Sequence, residues 1–91
     1  MKTVHLLISG KVQGVFFRES ARKLAEKLNL KGWIKNRNDE KVEAVISGDE
    51  NDVNDFINWC HTGPERAEVT QVIVSKQPET SFEKFKIIRN Y

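Results

Sequence analysis

The chain has 91 residues, room for one domain over residues 1–91, and a domain of that size buries only about 60–65% of its unfolded surface. Its 38% hydrophobic and 31% charged residues fit a small folded domain and exclude a disordered segment. Fifteen Lys and Arg against thirteen Asp and Glu leave a net charge of +2, far from a nucleic-acid-binding extreme, and this mixed balance alone names no partner.

Val4, Leu6 and Ile8 alternate with His5, Leu7 and Ser9 at the two-residue period of a strand. The apolar run 3–8 is too short for a signal peptide, and no span approaches the roughly 20 apolar residues that cross a bilayer. A cytoplasmic monomer without a membrane partner is therefore expected. Residues 10–16 are too glycine-rich and irregular for a helix. From Phe17 the period changes, with Phe17, Ala21, Leu24, Ala25 and Leu28 on one helical stripe. Asn29 suits the helix end because Asn tolerates the left-handed conformation, and Gly32 is expected to let the chain turn.

A second strand is predicted over 32–36 and a third over 42–47, joined through Arg37, Asn38, Asp39 and Glu40 as a hairpin. Asp49 is placed to cap a second helix that carries Val53, Phe56, Ile57 and Cys60 on one face and stops at Gly63-Pro64. Cys60, the single cysteine, excludes an internal disulfide and a cysteine-based zinc site, and its place on the apolar stripe predicts a buried, inert thiol. Strands are predicted over 69–75 and 82–88. The order βαββαβ plus a short terminal strand is that of an α+β, split βαβ sandwich. Its sheet is mostly antiparallel, with two helices on one face.

The segment 10–18 reads as an anion cradle. A strand delivers the chain, a loop follows, and a helix begins at its far end with unpartnered N–H groups and the positive end of its dipole. Gly14 permits the loop to curl its amides inward, and Arg18 offers a guanidinium fork to two phosphate oxygens. Val15, Phe16 and Phe17 are expected to anchor the loop and exclude water. The Gly-Lys-Ser/Thr ending of a nucleotide-binding loop is missing. On spacing alone, an ordinary strand–helix loop stands as an equal alternative.

Gly10, Val12, Gln13, Gly14, Val15, Phe17 and Arg18, followed by Gly32-Trp33-Ile34, Asn36 and Val42-Glu43, closely resemble the acylphosphatase family over essentially the whole chain. The resemblance implies a ferredoxin-like fold and metal-independent, cofactor-free hydrolysis of carboxyl-phosphate anhydrides, with a small acyl phosphate as the only partner. It implies further that the backbone amides of Gln13, Gly14, Val15, Phe16 and Phe17, with Arg18, hold the phosphate, and that Asn36 positions the attacking water. One departure is visible. The family has Asp-Gly in the turn after the asparagine, whereas this chain has Asp39-Glu40, so another turn type is expected.

The remaining polar residues carry weaker signals. His5 is expected to line a sheet face, and His61 to sit in the last turn of the second helix. With no acidic residue at ligand spacing, the pair makes no metal site. Lys11, Lys35 and Arg37 read equally as a source of positive potential for the loop or as solvated surface. An RNA-recognition module shares the element order but needs stacking aromatics on its third strand, and residues 41–47 have none.

Overall fold

The computed structural model describes residues 1–89. Its elements are β1 (Lys2–Lys11), α1 (Phe17–Lys27), β2 (Lys31–Asn36), β3 (Val42–Gly48), α2 (Glu50–Cys60), β4 (Glu68–Lys76) and β5 (Phe85–Ile88). The five strands form one sheet in the order β4-β1-β3-β2-β5, antiparallel except for β2 and β5, which run parallel. This is the expected ferredoxin-like α+β sandwich.

Alternation along each strand decides which face receives the helices. Val4, Leu6 and Ile8 of β1, Val42, Ala44 and Ile46 of β3, and Ile34 of β2 are buried and meet Phe17, Ala21, Ala25, Val53, Phe56 and Cys60 of the helices in one core. Tilted aromatic pairs join the elements: the ring centroids of Phe17 in α1 and Trp59 in α2 lie 5.1 Å apart, and that of Phe56 in α2 lies 6.2 Å from that of Phe85 in β5. Asp49 caps α2 as its side chain implied, accepting a 3.0 Å hydrogen bond from the Asn51 N–H.

Two local expectations need correction. The reversal after α1 is made by Asn29, at φ 60°, and not by Gly32, which lies inside β2. A side chain at Gly32 would run its Cβ into the Val45 carbonyl, so glycine is required there by close approach of β3. The last strand begins at Phe85 instead of Phe82, because pairing with β2 starts where Gly32 meets Phe85.

The β2–β3 hairpin also differs from expectation. Arg37 N–H donates to the Lys41 carbonyl at 2.8 Å, Glu40 N–H donates to the Arg37 carbonyl at 3.3 Å, and Glu40 adopts φ 69°. The left-handed position of a hairpin closed by a turn and a bulge is therefore kept, and a glutamate occupies it. The surrounding bonds hold Glu40 in a conformation that costs a side-chain-bearing residue about 1 kcal/mol or more. Glu40→Gly is accordingly expected to stabilise the fold by about 1 kcal/mol, raising the thermal midpoint by roughly 4–8 °C. Calorimetry would read that gain, and a fall in midpoint would show that the Glu40 side chain contributes more than its backbone costs.

Candidate active site

Strand direction assembles the site. β1 and β2 are each antiparallel to β3, and β5 is parallel to β2, so all three end at the same edge of the fold. The loop after β1, Asn36 at the end of β2, and Ile87 with Arg89 at the end of β5 meet there. They enclose a cleft of about 410 Å³ whose walls also include Val12, Gly14, Phe16, Phe17, Arg18 and Glu19. Arg18 and Asn36, separated along the chain, thus line one cavity. Asn36 reaches it because it shares its face of β2 with buried Ile34, whereas Lys35 between them points to the open face.

The loop has the curled backbone that its glycine implied. Gly14 adopts φ 74°, and Phe16, at φ 64°, is left-handed at the N-cap position of α1. Among the described residues no side chain caps this helix, and its first bond runs from the Ser20 N–H to the Phe16 carbonyl at 3.0 Å. The N–H groups of Phe17, Arg18 and Glu19 therefore have no intrahelical partner, at the positive end of the dipole. Val15 and Phe17 anchor the loop in the core. Phe16 does not: it is 73% exposed, because the left-handed turn throws its side chain outward over the cleft. Gln13 and Val15 contribute no side chain to the cleft wall. The Gln13 side chain reaches the hairpin instead, its Nε2 donating to the Arg37 and Lys41 carbonyls at 2.8 and 3.0 Å.

Three wall residues escaped the sequence reading: Glu19, Ile87 and Arg89. Glu19 follows Arg18 directly, yet it is hydrogen-bonded by the Arg22 guanidinium, which holds its carboxyl below the usual carboxylate range. Lys35 and Arg37 are not among the described wall residues of the cleft. Both lie toward Glu43, at 3.8 and 3.4 Å, and Arg37 also grips Asp39 at 3.1 Å. His5 completes that cluster, its Nε2 lying 2.7 Å from Glu43. Burial raises the Glu43 carboxyl, but the His5 contact and the two cations outweigh it and hold its pKa below the ordinary value. Lys11 is exposed and stands apart from the cleft wall. Cys60 is buried, and burial pushes its thiol far above the reactive range. His61 lies just past the end of α2 as its C-cap.

The whole arrangement has close counterparts. The acylphosphatase family model matches residues 4–87. An acylphosphatase of Methylococcus capsulatus is 42% identical over 91 residues, covering 99% of both chains. The structure of an acylphosphatase from Coxiella burnetii superposes with a TM-score of 0.92 at 39% identity, over 96% of this chain and 92% of that one. The acylphosphatase from Bacillus subtilis gives a TM-score of 0.94 at 32% identity, over 98% of this chain and 100% of that one. The chain belongs to the acylphosphatase family, hydrolases acting on acyl phosphates.

Proposed function

We propose that this chain hydrolyses the carboxyl-phosphate bond of a small acyl phosphate without a metal ion, with Arg18 and the amides of Gln13, Gly14, Val15, Phe16 and Phe17 holding the phosphate and Asn36 positioning the water. The observation that supports this reading is the meeting of Arg18, Asn36 and the uncapped start of α1 around one cleft. An amide nest and a guanidinium fork suit the equatorial phosphate oxygens. The side-chain amide of Asn36 has both an acceptor for a water proton and donors for its oxygen.

The substrate makes few demands beyond this. Its leaving group is a carboxylate whose conjugate acid has a pKa of about 4, so the group departs at neutral pH without a proton. Transfer through a loose transition state needs alignment and charge stabilisation more than acid–base help. The water oxygen bonds to phosphorus, the P–O bond to the acyl group breaks, and the electron pair leaves with the carboxylate. The water proton passes to a phosphate oxygen. Glu19, the one carboxylate in the wall among the described residues, is a poor proton acceptor because Arg22 stabilises its ionised form.

Hydrolysis of a model acyl phosphate in the presence of EDTA tests the central claim. Undiminished turnover is expected, and activity that vanishes on chelation would overturn it. Glu19→Gln addresses the proton route: kcat should stay well inside the roughly 100-fold or greater loss that removal of a general base brings. A loss of that size, with the acidic limb abolished from the pH profile, would make Glu19 the acceptor.

A further inference from the structure

The phosphate cradle and the asparagine sit on segments that the covalent chain leaves far apart. The loop follows β1, whereas Asn36 ends β2 and runs straight into the hairpin turn. Gln13 bridges the two. Its Nε2 donates to the carbonyl of Arg37, next in the chain to Asn36, and to that of Lys41 across the turn, at 2.8 and 3.0 Å. Those two residues are themselves joined by the bond from the Arg37 N–H to the Lys41 carbonyl, at 2.8 Å. A primary amide has two N–H donors, and both are engaged. A carboxylate of the same shape would face two carbonyl oxygens with acceptors alone, and an apolar side chain would leave both carbonyls without this partner.

We propose that the Gln13 side chain is a positioning residue for hydrolysis. It fastens the turn beside Asn36 to the loop that cradles the phosphate, and thereby sets the distance from the held water to phosphorus. The proposal rests on the roles assigned above to the loop, the Gln13 backbone amide included, and to Asn36, and adds a side chain that touches neither substrate nor water. Both halves of the site survive loss of the clamp, but their alignment does not. Misplacing reacting groups by about 1 Å costs on the order of 100-fold in rate. The signature is a fall in kcat without a matching fall in phosphate affinity.

The experiment compares the wild type with Gln13→Met, which keeps length and loses both donors, and Gln13→Glu, which keeps shape and reverses polarity. For Gln13→Met, kcat on a model acyl phosphate is expected to drop about 10- to 100-fold. KM and the inhibition constant of inorganic phosphate should each move by less than about threefold, under 1 kcal/mol in binding. The Arg37 amide should exchange its hydrogen faster than in the wild type, because the turn is less firmly held. Gln13→Glu should gain a feature absent from the wild type: kcat rises as pH falls through the glutamate pKa, since the protonated carboxyl regains one O–H donor. This pH series decides the matter if Gln13→Met does not fold. An unchanged kcat in Gln13→Met would overturn the proposal, as would a phosphate inhibition constant that rises as much as kcat falls. A wild type that hydrolyses no acyl phosphate removes the assigned function itself, whereas turnover with an indifferent Gln13→Met removes only the clamp.

Discussion

Arg18→Ala is expected to lower kcat/KM by roughly 10³-fold or more, the size of effect seen when a cation on a transferring phosphoryl group is removed. Arg18 lines the cleft at the first turn of α1, where its guanidinium sets full charge beside the N–H groups of the helix start. The loss should be divided between binding and rate. Inorganic phosphate shares the equatorial oxygens of the substrate, so its inhibition constant should rise by about 10- to 100-fold, matching one charge-assisted interaction of about 1.5–3 kcal/mol. Arg18→Lys should recover part of the affinity and less of the rate, because an ammonium supplies charge without a planar fork. Steady-state kinetics with phosphate as the competing ligand would separate these effects. Unchanged phosphate inhibition in Arg18→Ala would move the anion site elsewhere in the cleft.

Asn36→Ala should behave differently. A residue that aligns water acts mainly in the transition state, so kcat is expected to fall by about 10²- to 10³-fold with KM and phosphate inhibition nearly unchanged. The contrast follows from placement. Asn36 lines the cleft from the end of β2, whereas Arg18 lines it from the first turn of α1. Asn36→Asp sharpens the test, because it keeps an acceptor, loses the donors and sets a negative charge beside the anion. A KM that climbs in Asn36→Ala while kcat holds would make the side chain a substrate ligand instead.

How far the sequence revealed this site depended on the range of the interactions. Alternation in β1 and β3, the stripe of α1 and the Asp49 cap are local patterns, and each was legible. Phe16 was not, because three consecutive apolar residues show no period that tells which one faces out. Its exposure follows from a left-handed backbone that sequence alone does not announce. Glu40 shows the reverse case. Intrinsic preference argues against a left-handed glutamate, and the bonds made around it by Arg37 and Lys41 override that preference. Ile87 and Arg89 were invisible because they enter through the parallel pairing of β5 with β2, a contact between remote segments. The sorting of Lys35 from Asn36 was available from parity along β2, since Asn36 shares a face with Ile34.

The order β4-β1-β3-β2-β5 also bears on how the molecule comes into being. Only β2 and β3 are joined by a tight turn, and every other pairing closes a long stretch of chain before it yields any burial. Such a topology has high contact order, which predicts slow, all-or-none folding for a domain of this size. The cleft needs the ends of β1, β2 and β5 at one edge of a sheet in which β3 joins β1 to β2, so no half-formed sheet contains it. During refolding, catalytic competence should therefore return in the same single phase as the burial of Phe17 and Phe85.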